Sequence, residues 1–309
     1  MKKENFLLTS MLAVAVLIVL VVIVILIDVD YSLDEENVNK RDLQQAQGAV
    51  TNIWINGDTR FDVLKEHDIV YLFVDVGGTN LNGTSKADME QVESFYELIR
   101  DYEERNDHEF ILLPYSEVRS YDIDTTTIEF RENFIDFYKE LTVMGYDGLL
   151  VDIEPVQFEE RDDFLNLLEE LRIELGSEPI ISVYAGHIGN GNNEWEWETS
   201  FYRSVAIRTD IISASGYDTD FTNSEEYSSH LKNQIHLMNT EGYDTNILFA
   251  IPTHRDYPEH SDIALNAIQG EFVYEDSPIL GVTVFAEWTA DENDWDNFKE
   301  FLEEKEGFI

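Results

Sequence analysis

Asp152 and Glu154 are the two residues whose types and spacing most directly suggest chemistry. They stand two apart in Gly148-Leu149-Leu150-Val151-Asp152-Ile153-Glu154, so on a β-strand both project to one face. Two carboxyls held side by side do not both ionise readily. One is pushed upward and becomes a general acid near neutral pH. An acidic pair inside an otherwise apolar run is costly without a purpose. The bland alternative is a pair of surface carboxylates among the 64 acidic residues of the chain. Other polar and aromatic residues close similar apolar runs: Asp75, Tyr115 with Glu117, Tyr184 with His187, Tyr217 with Asp218, Thr253 with His254, and Glu287 with Trp288. Carboxylates with aromatics are the chemistry of sugar binding, where rings stack on pyranose faces and carboxylates handle hydroxyls and protons.

The elements that must position these residues are eight short apolar runs, at 50–55, 69–74, 110–115, 148–153, 179–184, 211–215, 246–251 and 281–286. Near-continuous Val- and Ile-rich runs of this length suit parallel strands covered on both faces. Between them lie stretches of helical period. Met89, Val92, Tyr96 and Ile99 make one stripe, as do Phe130, Phe134, Phe137 and Leu141, and Phe164, Leu168, Leu171 and Leu175. Ser85 with Asp88, and Ser224 before Glu225-Glu226, read as helix starts. Alternating units with eight strands predict an α/β chain closed into a (β/α)8 TIM barrel. An open doubly wound sheet is the alternative. It would carry a glycine-rich phosphate turn, and Val76-Gly77-Gly78 is not one. In such barrels the site lies at the carboxyl ends of the strands, where the residues above fall.

Phe6 to Ile27 is a run of 22 residues without charge. At 1.5 Å per residue it reaches about 33 Å, enough for a bilayer core. It passes into Asp28-Val29-Asp30 without a small-residue cleavage site, and Lys2 and Lys3 precede it. This predicts a single uncleaved transmembrane helix, with residues 1–5 cytoplasmic, 6–27 spanning the lipid bilayer, 28–48 a polar stalk and 49–309 an extracellular barrel. The chain has no cysteine, which excludes disulfides, cysteine-ligated metals and a thiol nucleophile. Its net charge of −44, from 20 basic and 64 acidic residues, repels phosphate and argues against nucleic-acid binding. The acidic residues are dispersed rather than blocked. That suggests a solvated surface adapted to high salt, or else an acidic extracellular protein that gathers calcium non-specifically.

The segment Tyr146-Asp147-Gly148-Leu149-Leu150-Val151-Asp152-Ile153-Glu154 resembles the fourth-strand signature D-G-x-D-x-D-x-E of glycoside hydrolase family 18, the chitinases and their relatives. The sixth run, Ala214-Ser215-Gly216-Tyr217-Asp218, the seventh, ending Pro252-Thr253-His254, and the eighth, ending Glu287-Trp288, resemble that family's later strands in order. The resemblance covers roughly 49–309. It implies substrate-assisted retaining hydrolysis of N-acetylated amino-sugar glycans, without metal or organic cofactor. Glu154 would be the general acid, Asp152 would orient the acetamido group and Tyr217 would hydrogen-bond its oxygen. Trp288 would floor the pocket, with Asp218, Tyr184, Tyr115 and Glu287 as further substrate-binding candidates; Asp147, of the opposite parity to Asp152, would either bind substrate or cap and brace the strand. One position departs: Leu150 stands where the family has its middle aspartate, on the same face as Asp152 and Glu154.

Two other functions fit. A two-carboxylate retaining glycosidase would use Glu154 and Glu287, about 5–5.5 Å apart. A catalytically silent sugar-binding barrel would be consistent with Leu150. His187 and His254 are a weak candidate metal pair. Trp195 and Trp197, in Asn193-Glu194-Trp195-Glu196-Trp197, read equally as a sugar platform or a hydrophobic clasp. Asn82-Gly83-Thr84 is a glycosylation sequon.

Overall fold

The computed structural model describes residues 50–119, 121, 124–191, 194–241, 243, 245–255, 257–269 and 278–306. The expected tail, membrane span and stalk lie outside them. Among the described residues no helix is long and apolar enough to cross a membrane.

Strands β1 (Val50–Ile55), β2 (Tyr71–Gly78), β3 (Ile111–Arg119), β4 (Gly148–Val151), β5 (Ile180–Ala185), β6 (Ile211–Ser215), β7 (Asn246–Pro252) and β8 (Ile279–Phe285) are all parallel. Each pairs with the next, and β8 returns to β1, so the sheet closes into the expected barrel. Helices α1 (Phe61–Glu66), α2 (Met89–Asn106), α3 (Ile128–Met144), α4 (Arg161–Leu175), α5 (Thr199–Ala206), α6 (Ser224–Glu241), α7 (Ser261–Ile268) and α8 (Glu292–Glu306) alternate with the strands.

Side-chain parity explains why the runs are largely apolar. Ile53, Leu72, Leu112, Leu149, Ile181, Ile212, Phe249 and Val282 form one core cluster with the helix stripes. Trp54, Phe73, Leu113, Leu150, Ser182, Ser213, Leu248 and Thr283, of the opposite parity, are equally buried and fill the barrel interior. The helix stripes expected on α3 and α4 are buried, apart from a half-buried Leu175. Asp88 caps α2 by accepting from the Glu90 and Gln91 N–H groups. At α6 the expected cap moves back one residue: Asn223, not Ser224, accepts from the Glu226 N–H.

Two strands run past their expected ends, β2 to Gly78 and β3 to Arg119. Beyond Val74 and Tyr115 the inward positions are Asp75, Glu117 and Arg119, which break the apolar run while the ladder continues. After Val151 the fourth strand leaves the ladder at Asp152 and resumes as the short strand Ile153–Glu154, which pairs with β3. Gly148 opens β4 because β5 leaves no room for a side chain: a Cβ there would sit 2.0 Å from the Ile180 carbonyl oxygen.

Candidate active site

The paired register of β3 and the fourth strand sets Val118 opposite Ile153 and Arg119 opposite Glu154. Arg119 Nη1 lies 2.6 Å from Glu154 Oε1, and its Nη2 lies 2.7 Å from Glu117 Oε1. Asp152 is buried at 7% exposure, while the Glu154 side chain is 18% exposed and reaches the opening. Burial pushes the Asp152 carboxyl well above its ordinary range, and the neighbouring Glu154, Glu117 and Asp75 add to this against Arg119. Burial also raises Glu154, with Arg119 opposing and Glu117 adding. Ile153, between them, belongs to the core cluster, so Asp152 and Glu154 share the opposite face as expected, and both hold a proton more readily than a free carboxyl.

An aromatic floor lies beside these carboxyls. Trp54 packs edge-on against Phe73 (ring centroids 4.7 Å apart), Phe285 (5.3 Å) and Tyr184 (6.0 Å). Tyr184 and Tyr217 stack with ring centroids 6.3 Å apart, and the Ser215 hydroxyl donates to the Tyr217 carbonyl (3.1 Å). Burial, and then each other's presence or that of Glu154, pushes both phenols far up, so they stay neutral hydrogen-bonding groups. A cleft beside Glu154 is lined by Tyr184, His187, Glu194, Trp195, Tyr217 and Asp218.

Several expected site residues take other places. Asp147 lies at the start of β4, at the opposite end of the barrel from Glu154, and is not at the opening. Its carboxylate accepts from the Leu112 N–H (2.9 Å) and from Arg100 (3.3 Å), bracing two strands. Tyr115 pairs in register with Leu150 beneath the opening and is 6% exposed, so it is a wall of the interior. Trp288 does not floor the pocket. It stands 41% exposed at the edge, 5.8 Å from the Phe285 ring, and Phe285 takes the floor position against Trp54, Tyr217 and His254. The reason is parity: Phe285 continues the inward positions of β8, whereas Trp288 lies beyond in the short 3-10 turn Glu287–Thr289. Glu287, at 2% exposure, is committed to Arg60, whose Nε lies 2.7 Å from Oε1. Asp218 lies at the cleft, ion-paired with Arg255, and its N–H donates to the buried Glu259.

The histidines do not pair as the sequence suggested. His187 Nδ1 lies 3.4 Å from His230 Nε2, and burial, then His230, pushes His187 down to about 4. His254 packs against Tyr217 at 5.1 Å. Among the described residues no group of three or more potential ligands is arranged around a metal position. The two tryptophans divide the readings offered for them. Trp197 is buried against Phe164, Phe201 and Tyr202, while Trp195 is 40% exposed at the cleft. Asn82 of the sequon is exposed, and its side chain holds Thr84 and Glu129. Arg119, Trp54 and Phe285 escaped the sequence reading. The signal for Arg119 was the alternation Glu117-Val118-Arg119, and for the two aromatics it was inward parity.

No protein-family model matches the sequence, and no curated protein does. Solved structures do. A chitinase from Bacteroides thetaiotaomicron superposes with a TM-score of 0.60 at 12% identity, covering 84% of this chain and 97% of that one. A class V chitinase from Pseudomonas fluorescens Pf-5 gives 0.60 at 11%, covering 82% and 99%. The Group IV chitinase of Ostrinia furnacalis, determined in complex with allosamidin, gives 0.57 at 14%, covering 83% and 98%. The chain thus has the barrel fold of the chitinases.

Proposed function

We propose that the protein is a membrane-anchored extracellular glycoside hydrolase of the chitinase type, acting on N-acetylated amino-sugar glycans. The observation that carries the reading is the buried carboxyl pair Asp152 and Glu154 at the carboxyl end of β4, beside an aromatic floor. Glu154 reaches the opening and protonates the glycosidic oxygen as the bond to the anomeric carbon breaks. The substrate's own acetamido oxygen attacks that carbon, giving an oxazolinium. Asp152, buried beneath, accepts from the acetamido N–H and stabilises the cation. Water then adds, Glu154 takes its proton, and the configuration is retained. Tyr217, in the cleft beside Glu154, hydrogen-bonds the acetamido oxygen. The anchor is residues 6–27, which leaves the barrel outside the cell.

The test is turnover of chromogenic N-acetylglucosamine oligomers by the full chain in detergent and molar salt, alongside glucose oligomers that lack the acetamido group. Hydrolysis of the acetamido substrate alone supports the proposal. Hydrolysis of both supports the two-carboxylate mechanism. Leu150, buried in register between Tyr115 and Ser182, favours a third outcome, in which the oligomers bind without turnover.

A further inference from the structure

The acid of the fourth strand is gripped by a cation from the third, and proton donation alone gives no reason for it. A guanidinium 2.6 Å from a carboxyl stabilises the charged form, whereas a general acid must hold a proton before it reacts. The contact is not the chance reach of a long side chain. The ladder pairs Arg119 with Glu154 directly, and Glu117, the neighbouring inward residue of β3, binds the other arm of the same guanidinium at 2.7 Å.

We propose that Arg119 is a positioning residue for Glu154, and that Glu117 and Arg119 form a couple on β3 that sets its orientation and proton affinity. The inference rests on Glu154 being the general acid. As Glu154 gives up its proton, negative charge develops on the oxygen that Arg119 holds, so the cation favours donation. Glu117 divides the attention of Arg119 and keeps the acid from remaining ionised. The other titratable groups facing Glu154 are Asp152 on its own strand, Tyr184 on β5 and Tyr217 just past β6, with Glu194, His187 and Asp218 around the cleft and Asp75 acting through Asp152. The tyrosines stay neutral and His187 is held uncharged near neutrality, so the adjustable charges are the carboxyls and Arg119.

The couple predicts shifts of opposite sign. The basic limb of the pH–rate profile reports loss of the proton from the acid. Arg119→Gln moves that limb up by roughly one pH unit and lowers kcat about tenfold, with KM little changed. Arg119→Lys restores most of the limb position. Glu117→Gln moves the limb down, because Arg119 then acts on Glu154 alone. The same shifts appear in the titration of the Glu154 carboxyl followed by 13C NMR in the full-length protein, which requires no turnover. An unmoved midpoint in Arg119→Gln, or a shift of the same sign in both variants, overturns the proposal. Should Arg119→Gln not fold, Glu117→Gln and Arg119→Lys decide it in the same way. Glu154→Gln separates the two readings. If it retains turnover, Glu154 is not the acid. If it is inactive while the Arg119 and Glu117 midpoints stay fixed, only the couple fails.

Discussion

Two of the barrel's arginine–glutamate pairs have nearly equal length and differ in what surrounds them. Arg60 holds Glu287 at 2.7 Å near the β8–β1 side, and Arg119 holds Glu154 at 2.6 Å between β3 and the fourth strand. Both arginines are about half exposed. Glu287 is sealed at 2% exposure with Arg60 as its ion-pair partner, whereas Glu154 shares Arg119 with Glu117 and stands beside Asp152. An exclusive pair fixes geometry and acts as a bracket. A shared pair in a cluster of carboxyls is adjustable, because a change at one member alters the proton affinity of the others. The same two residue types therefore serve structure on one wall and chemistry on the other.

The largest effect that tests this contrast is on turnover. Glu154→Gln keeps the shape of the side chain but cannot supply a proton, and kcat on acetamido oligomers falls by about 10²–10⁴-fold. Glu287→Gln leaves kcat within roughly threefold, since a bracket contributes no charge to the reaction. Equal losses in the two variants would erase the distinction.

Stability inverts the ranking. Arg60→Ala leaves the buried Glu287 carboxylate without its cation and costs about 1–3 kcal/mol in denaturant unfolding, with the activity of the folded protein preserved. Arg119→Ala costs less, because Glu154 and Glu117 both reach solvent.

Asp152 goes further and opposes stability. Its carboxyl in the folded protein lies well above its unfolded value, so the native state binds the proton more readily than the unfolded chain. Stability is accordingly highest below the ordinary aspartate range and falls as pH rises through the native value. Asn cannot ionise, so Asp152→Asn melts above the wild type at pH 7–8. The difference closes below about pH 4. A variant that melts lower at neutral pH would show that the charge is stabilised in the fold. Glu287→Gln melts lower than wild type at neutral pH, as expected for a paired carboxylate.

What the sequence made legible follows the same division. All eight strands were visible because parallel strands buried on both faces are apolar at most positions, and Phe130, Phe134, Phe137 and Leu141 marked α3 by period alone. The Asp152 and Glu154 pair was visible because both members lie within seven residues of one strand. Arg119 was not, since its bond to Glu154 depends on a register between segments 35 residues apart. Pro114 and the polar residues after it also ended the apolar run early. Trp54 and Phe285 read as ordinary core, because only ring closure puts β1 beside β8 and brings the two rings together. Glu287 looked available from its place after β8, and only the fold shows Arg60 reaching it across 227 positions.

The smallest expected effect concerns the whole surface, and it again separates the two pairs. The chain's net charge of −44, most of it on the barrel, repels itself at short range. Salt shortens the screening length from about 10 Å at 0.1 M to about 3 Å at 1 M, which relieves repulsion between exposed carboxylates. The Arg60–Glu287 pair is screened less, because Glu287 is buried even though Arg60 is half exposed. Raising sodium chloride from 0.1 to 3 M should therefore lift the melting temperature by a few degrees, about 1–2 kcal/mol for a domain of this size. Chloride is the right choice, because sulfate raises stability by exclusion from any protein surface. The cost of Arg60→Ala should persist across the whole range, while Lys139→Ala, which breaks an exposed pair with Glu174, should cost little at any salt. A melting temperature flat across the range would remove high salt as the setting for which this surface is built. A salt-dependent cost of Arg60→Ala would show that the bracket is open to solvent and no different in kind from its counterpart on β3.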